Sequence, residues 1–243
     1  MHRFYAPQID QGVLSPEESH HALSVLRLQA GDALTVFDGR GKEARATVVS
    51  AEKKTLRYRV QTVHQSPPPA FQLRLGQAVA KNKAMEFIIQ KGTELGLPSL
   101  YPVLSDRSVV QLDGDKSESK AEKWSQTALE ACKQCGQNRL PEIHPPQSVA
   151  ALIETQKAWG GVKWIASLQP EARPLHAAIA EARQAGSLNN VTILIGPEGD
   201  FTPAEIGSFR SAGYLPVSLG PTILRTETAA LYAIGILLYE LQR

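Results

Sequence analysis

The sequence predicts an α/β protein of two domains, a small β-rich one and a larger one built on a mostly parallel sheet. Three consecutive prolines at positions 67–69 form a semi-rigid spacer, because proline donates no backbone hydrogen bond and favours extended geometry. Strand patterns dominate before the spacer. After it strands alternate with helices, as in parallel sheets. We therefore expect domains at residues 1–66 and 71–243, joined by a linker at 67–70.

The first domain contains a predicted hairpin, one further strand and one helix. Residues 33–37 and 43–49 flank the turn residues Asp38-Gly39-Arg40-Gly41, which predicts the hairpin. Residues 55–60 alternate apolar and basic side chains, which is typical of a strand buried on one face. The helix begins with the capping box Ser15-Pro16-Glu17-Glu18 and extends to Leu26. This pattern favours a small β-barrel.

The second domain alternates short apolar runs with amphipathic segments. Predicted strands cover residues 72–80, 99–104, 163–168, 191–195 and 215–219, and predicted helices cover 84–95, 202–213 and 227–241. A charged loop at 113–123 runs into a further helix, with a capping box at Ser119-Lys120-Ala121-Glu122 and an end at Gly136. The last helix is apolar around most of its circumference. It must therefore be buried in the domain or against another subunit.

Composition limits the class of protein. Hydrophobic residues make up 42% of the chain, enough for a packed core, and no apolar stretch approaches the roughly 18 residues of a membrane span. The N-terminus lacks the apolar region of a secretory signal, so we expect a soluble cytoplasmic protein that does not enter a membrane. Residues 1–111 hold 14 basic and 10 acidic residues. That excess would suit a polyanion, although ordinary surface variation explains it as well.

The two cysteines form a Cys132-x-x-Cys135 pair that predicts no metal site. A zinc site needs two more ligands at suitable spacing, and the six histidines provide no such set. Both thiols lie near a predicted helix C-terminus, which does not stabilise a thiolate. We expect the pair to serve packing and the protein to bind no metal.

Two loops that follow predicted strands are candidates for ligand binding, since open α/β sheets bind ligands at the carboxyl ends of their strands. The first loop combines two glycines, which let the backbone approach a ligand, with a stiffening proline. Its sequence is Ile195-Gly196-Pro197-Glu198-Gly199-Asp200-Phe201. Spacing alone favours a ligand loop and an ordinary strand-to-helix turn equally.

The second loop opens the last helix and carries a basic residue. Its sequence is Leu219-Gly220-Pro221-Thr222-Ile223-Leu224-Arg225-Thr226-Glu227-Thr228-Ala229. Glu227 has an ordinary explanation, because an acidic side chain in a first turn stabilises the helix dipole by about 0.3–1 kcal/mol. A cation gains nothing there, so Arg225 indicates a function. Neither loop is a Walker A motif or a dinucleotide fingerprint.

Together the two loops resemble the signature of the SPOUT methyltransferases, and within them the RsmE group, which methylates N3 of a uridine in small-subunit ribosomal RNA. Further segments are similar to that group in the same order: Met1-His2-Arg3-Phe4-Tyr5, His20-His21 with Val25-Leu26-Arg27, Gly31-Asp32, Lys91-Gly92-Thr93-Glu94-Leu95-Gly96 and Asp106-Arg107-Ser108. The chain departs from the group at Asp200, where glycine is usual, and at Cys135-Gly136-Gln137-Asn138, where Ser-Gly-Arg-Asn is usual.

The resemblance implies a C-terminal SPOUT trefoil-knot α/β domain with a mostly parallel sheet, plus a small N-terminal PUA-like β-barrel. It also implies a homodimer and a pocket for S-adenosylmethionine. The residues implied to hold this cofactor are Leu168, Ile195, Gly196, Pro197, Glu198, Gly199, Leu219, Gly220, Leu224, Arg225, Thr226, Thr228 and Ala229. Arg225 is our candidate for stabilising charge on the uracil, with Glu227 or Glu198 orienting it or accepting the proton.

The partner implied is 16S ribosomal RNA or the small ribosomal subunit. Candidates for phosphate contacts are Arg3, Arg27, Arg57, Arg59 and Arg107. Two other functions remain open. One is a non-catalytic RNA-binding or ribosome-assembly protein with the same fold, which Asp200 would favour, and the other is a related enzyme acting on another RNA. Calorimetry with S-adenosylmethionine separates the first alternative, because a pure binding module releases no heat of cofactor binding.

Overall fold

A computed structural model describes residues 2–52, 54–108 and 114–242, and in the last range it describes side chains from Ser117 onward. Contacts divide the chain into two compact units. The first comprises Met1–Pro69 with Leu129–Leu140, and the second comprises Ala70–Ala128 with Pro141–Arg243. The division after Pro69 falls at the predicted spacer. Residues 129–140, which we assigned to the second domain, make their contacts within the first unit instead.

The first unit is built on a four-stranded sheet. Its strands are β1 (His2–Tyr5), β2 (Ala33–Phe37), β3 (Lys42–Glu52) and β4 (Thr55–Gln65), in that order across the sheet. β1 pairs with β2 in parallel, whereas β2, β3 and β4 are antiparallel. The predicted hairpin and the strand from Thr55 are confirmed. Apolar side chains on one face, including Phe4, Leu34, Val36 and Leu56, form a separate core.

A short helical segment follows the predicted cap. Helix α1 (Pro16–His20) begins after Ser15, whose hydroxyl accepts a hydrogen bond from the Glu18 backbone N–H, and it continues as one π-helical turn, His21–Val25. The predicted helix to Leu26 is therefore present, with a wider turn in its second half.

The second unit contains an eight-stranded sheet in which every pairing is parallel. Its strands are β5 (Gln72–Ala78), β6 (Ser99–Leu104), β7 (Glu142–Ile143), β8 (Gln147–Ser148), β9 (Val162–Ala166), β10 (Arg173–Pro174), β11 (Asn190–Ile195) and β12 (Leu215–Ser218). The order is β10-β12-β9-β11-β5-β6-β7, with β8 also on β6. The mostly parallel sheet expected from the alternation of strands and helices is confirmed.

Helices cover both faces of this sheet. They are α2 (Asn82–Leu95), α3 (Gly114–Cys135), α4 (Val149–Thr155), α5 (Leu175–Gln184), α6 (Pro203–Ser211) and α7 (Thr226–Leu241). Residues of α2, α5, α7 and the first part of α3 share one core with the sheet, whereas α4 and α6 pack in a second core on the other face. The predicted burial of the last helix is confirmed, because four of its side chains are inaccessible to solvent: Ala230, Ala233, Ile234 and Leu237.

One predicted helix start is wrong. Ser119 lies inside α3, which already begins at Gly114, so Ser119-Lys120-Ala121-Glu122 is not a cap. From Ser117 to Lys123 the charged side chains are exposed or partly exposed, which a helix tolerates. The residues of the expected loop up to Asp113 lie outside the described chain. At the start of α6, Thr202 and Glu205 form a capping box, since each accepts from the other's backbone N–H.

Candidate functional site

A pocket of about 280 Å³ lies at the carboxyl ends of β9, β11 and β12. Both candidate loops contribute to its wall, as the topological rule for open α/β sheets anticipates. The sequence-predicted residues that line it are Leu168, Ile195, Gly196, Pro197, Glu198, Leu219, Gly220, Leu224, Arg225, Thr226 and Ala229. Two loops separated by about twenty residues of sequence therefore form one concave surface.

The first loop is held in a tight turn. The Asp200 backbone N–H donates to the Pro197 carbonyl at 2.9 Å, and the Asp200 carboxylate accepts from the Phe201 N–H at 2.8 Å. Asp200 has a φ of 60°, a left-handed conformation that aspartate tolerates better than most residues. A methyl group at Gly196 would lie 3.1 Å from the Asp200 carboxylate, which is tighter than ordinary contact, so a larger residue there would require Asp200 to shift slightly.

The second loop ends at the first residue of α7. Gly220 has a φ of 136°, which only glycine adopts without strain, and Arg225 is the exposed N-cap residue of the helix. Among the described residues, Glu198, Asp200 and Arg225 form no ion pair. The pocket therefore presents two acidic groups and one basic group whose charges no partner within the described chain neutralises.

Thr226, in the second loop, is hydrogen-bonded to the first loop. Its hydroxyl donates to the Gly196 carbonyl at 2.8 Å and accepts from the Gln77 amide nitrogen at 2.9 Å. Gln77, on β5, is completely buried, and Thr226 is 5% exposed. Sequence reasoning missed Gln77, because a single glutamine inside an apolar strand carries no recognisable motif.

A third loop, after β6, supports the first. The Arg107 guanidinium donates to the Gly199 carbonyl at 2.7 Å, and the Asp106 backbone N–H donates to the Glu205 carboxylate at 2.8 Å. Arg107, predicted to contact RNA, thus also holds the loop that lines the pocket. Arg107 is exposed, and its contact with RNA stays a prediction.

Three predicted site residues do not line the pocket. Gly199 faces Arg107, Thr228 is exposed on α7, and Glu227 lies partly exposed in the first turn of that helix. The position of Glu227 suits stabilisation of the helix dipole. The lining also contains residues that were not predicted to hold the cofactor: Ala166, Ser167, Asp200, Thr222 and Ile223.

The basic residues of the first unit fall into two environments. Arg3 is partly buried: it pairs with Glu43, donates to Asn138 and to the Gln137 carbonyl, and lies over the Phe37 ring at 4.4 Å. Its side chain is only 11% exposed, so the prediction of a phosphate contact at Arg3 is not supported by its position. The reason is that residues 136–140 cover this part of the sheet.

The other part of the same sheet face is open and basic. Arg57 and Arg59 on β4 point away from the core residues Leu56 and Tyr58, and Arg45 lies on the neighbouring strand. All three are exposed and form no ion pair within the described part of the unit. We name Arg45, Arg57 and Arg59 the β3–β4 arginine face.

Arg27 and the cysteine pair lie elsewhere in the first unit. Arg27 is exposed, has a φ of 55° and lines a shallow surface cleft together with Ala51 at the end of β3. Cys132 is buried, and burial raises the pKa of its thiol to about 12, while Cys135 is exposed. Within the described residues no cluster of three metal-ligating side chains occurs.

Comparison with known proteins decides the family. A family model described as an RNA methyltransferase domain matches residues 66–238. The chain belongs to this RNA methyltransferase family. A second model, described as an RNA methyltransferase PUA domain, matches residues 14–60 and confirms the PUA-like character of the first unit.

Relatives of this RNA methyltransferase share most of its length. It is 31% identical to ribosomal RNA small subunit methyltransferase E of Bacillus subtilis, over 93% of this chain and 89% of the relative. It is 33% identical to the enzyme of the same name from Mycobacterium bovis, over 92% and 84%.

Solved structures resemble the whole RNA methyltransferase chain. The Neisseria gonorrhoeae ribosomal RNA small subunit methyltransferase E, bound to S-adenosyl methionine, has a TM-score of 0.84 at 28% identity, over 98% of this chain and 97% of that one. Lpg2936 of Legionella pneumophila, in complex with the cofactor SAM, has a TM-score of 0.82 at 32% identity, over 98% and 96%. In the described part of this chain, the helices are too short or too polar to cross a bilayer.

Proposed function

We propose that this chain transfers the methyl group of S-adenosylmethionine to N3 of a uridine in 16S ribosomal RNA of the small subunit. The observation that carries the proposal is the single pocket formed by the two glycine-bearing loops, with Arg225 in its wall. Membership of the RNA methyltransferase family supports methyl transfer. The choice of uridine N3 rests on the resemblance of the loops and of the N-terminal segments to the RsmE group.

The pocket lining suits S-adenosylmethionine in its chemistry. Leu168, Leu219 and Leu224 offer apolar surface for an adenine ring, and the backbone of Gly196 and Gly220 can approach a ligand closely. Carboxylates in the wall would favour a cationic ligand over a neutral one. When bound, this cofactor supplies an electrophilic methyl group on a sulfonium sulfur.

The residues of the chain would act on the uracil. Its N3 must lose a proton before it can attack, which leaves negative charge on the ring oxygens. The Arg225 guanidinium would stabilise that charge, and Glu198 is the better candidate for accepting the proton because it lines the pocket whereas Glu227 does not. Alignment of nucleophile and methyl group would supply most of the remaining acceleration.

Mass analysis of 16S ribosomal RNA tests the proposal. A strain lacking this protein should lose one methyl group from one uridine, and the purified protein with S-adenosylmethionine should restore it on small subunits or on their RNA. Loss of a methyl group from another base or from a ribose would replace uridine N3 as the target. Full methylation in the deletion strain would refute the proposal.

The β3–β4 arginine face is the proposed RNA-binding surface of the first unit, with Arg27 and Arg107 as further contacts. Arg57→Ala with Arg59→Ala is expected to weaken binding to small-subunit RNA and to reduce the slope of log K against log salt by about one per arginine. Arg40→Ala is the matched control, since Arg40 is an exposed arginine of the same unit outside this face. An unchanged slope in the double variant would contradict the assignment.

Asp200 is expected to influence selection of the cofactor over its product. Asparagine at position 200 tolerates the same φ and still accepts from the Phe201 N–H, so Asp200→Asn removes only the charge. We expect the affinity for S-adenosylmethionine to fall about two- to fivefold and the affinity for the neutral thioether product to stay unchanged, by calorimetry. Glu171→Gln, an exposed acid elsewhere in the unit, is the control. An equal loss for both ligands would show that the charge has no such role.

We also propose that the protein is a homodimer acting in the cytoplasm. A cleft beside the pocket is lined by Tyr232 and Ile236 of α7 and shares Leu219 and Gly220 with the pocket wall. Tyr232 is 48% exposed in this cleft, so its ring is available to a partner. A second copy seated there would touch the cofactor loop. Light scattering should give twice the chain mass, and Tyr232→Glu should shift it towards the monomer.

A further inference from the structure

Gln77 is a buried polar residue in the centre of an otherwise apolar strand. Its amide nitrogen donates to the Ala78 carbonyl and to the Thr226 hydroxyl, both at 2.9 Å, while its amide oxygen has no partner among the described residues. A buried acceptor without a partner is costly, and an apolar side chain of similar size would avoid that cost. The residue is therefore unfavourable for the core alone.

The hydrogen bonds from Gln77 have a fixed direction. The single hydroxyl hydrogen of Thr226 is donated to the Gly196 carbonyl, so Thr226 can only accept from Gln77. The Ala78 carbonyl also requires a donor. Only the amide nitrogen satisfies both neighbours, and hydrogen bonds therefore run from Gln77 through Thr226 to Gly196.

This series of hydrogen bonds connects the two loops of the pocket. Gly196 follows β11 in the first loop, and Thr226 closes the second loop at the start of α7. We propose that Gln77 is a positioning residue that fixes the separation of the two loops and thereby the affinity of the pocket for its cofactor. The proposal rests on the proposed function, since it takes S-adenosylmethionine as the ligand.

Two variants break this series of hydrogen bonds at different points, and a third preserves it. Gln77→Glu keeps the size but replaces the donor with an acceptor, and Thr226→Val removes the hydroxyl. Thr226→Ser keeps the hydroxyl. We expect each of the first two to raise the Kd for S-adenosylmethionine about tenfold by calorimetry, the double variant to be no weaker than the worse single one, and Thr226→Ser to stay within about twofold.

If Gln77 only stabilised the fold, its substitution would lower the melting temperature but leave the Kd for S-adenosylmethionine unchanged. Leu152→Ala, in the core on the other sheet face, is the control, since it should lower the melting temperature without changing the Kd well below that temperature. Thr226→Val with its serine counterpart keeps the test open if Gln77→Glu does not fold.

The outcomes separate this proposal from the proposed function. A wild-type protein that binds no S-adenosylmethionine refutes the cofactor itself. A wild-type protein that binds it, with Gln77→Glu and Thr226→Val binding equally well, overturns the role of Gln77. Fully additive losses in the double variant also overturn it, because they would mean that the two residues act separately.

Discussion

Arg225→Ala is expected to abolish methyl transfer while the affinity for S-adenosylmethionine changes by no more than a few-fold. Removing one preorganised group that stabilises developing charge typically costs about 10²–10³ in rate. Arg225 is exposed and forms no ion pair within the described chain, so its loss leaves no buried partner unsatisfied and the fold should survive. Single-turnover methylation of small-subunit RNA and calorimetry measure the two quantities separately.

The controls for Arg225 distinguish charge from bulk. Arg225→Lys keeps the charge but loses the planar fork, so partial activity is expected. Arg210→Ala removes an exposed arginine of the same unit that pairs with Glu171, and it should be fully active. A fully active Arg225→Ala protein would remove the assignment. A protein with lost cofactor binding would make Arg225 a cofactor contact instead.

Lys133→Met is expected to destabilise the first unit by about 2–4 kcal/mol at pH 7. The Lys133 ammonium donates to the carboxylates of Glu18 and Glu130 at 2.8 and 2.9 Å, and the Glu18 side chain is only 9% exposed. Without Lys133 the Glu18 charge would be buried with no counter-ion from α3. Chemical denaturation with a probe in the first unit measures the loss.

The loss should shrink as the pH falls. Burial already raises the pKa of Glu18 above its ordinary value, outweighing Lys133, and removing Lys133 should raise it further. An acid whose folded pKa exceeds its unfolded pKa stabilises the fold at low pH, and this contribution disappears as the pH rises through the folded pKa. The difference in stability between Lys133→Met and wild type should therefore be greatest at neutral pH and smaller in acid.

Glu18→Gln, added to the Lys133→Met variant, is the matched control for this pair. It removes the buried charge, so the double variant should recover most of the lost free energy of unfolding at pH 7. A deficit that is independent of pH, or equal in the double variant, would mean that Lys133 contributes packing rather than charge pairing.

Local sequence signals were sufficient where one element decides its own structure. The turn residues 38–41 specify the hairpin, Thr202 and Glu205 specify the start of α6, and Gly96 ends α2 in a left-handed conformation. The two loops of the pocket were also recognised, since glycine, proline and a basic residue after apolar strands form a local pattern. The threaded knot and the roles of the site residues stay predictions.

Predictions failed where several local patterns compete. Ser119-Lys120-Ala121-Glu122 reads as a helix start, but the helix already runs through it. Glu227 and Arg225 are two residues apart, and only the orientation of α7 decides that Arg225 faces the pocket while Glu227 does not. Arg3 resembles any surface arginine in sequence, and only the segment 136–140 decides that it hydrogen-bonds within the first unit, while its contact with RNA stays a prediction.

The sequence by itself determined the hairpin, the mostly parallel sheet and the two glycine-bearing loops that line the pocket, because turn chemistry and apolar periodicity act over a few neighbouring residues. Only the tertiary structure decided that residues 129–140 belong to the first unit and that Gln77 lies beneath both loops. These features depend on groups separated by roughly 70 to 150 positions in the chain. Their partners are chosen by packing of whole elements, which no short stretch of sequence encodes.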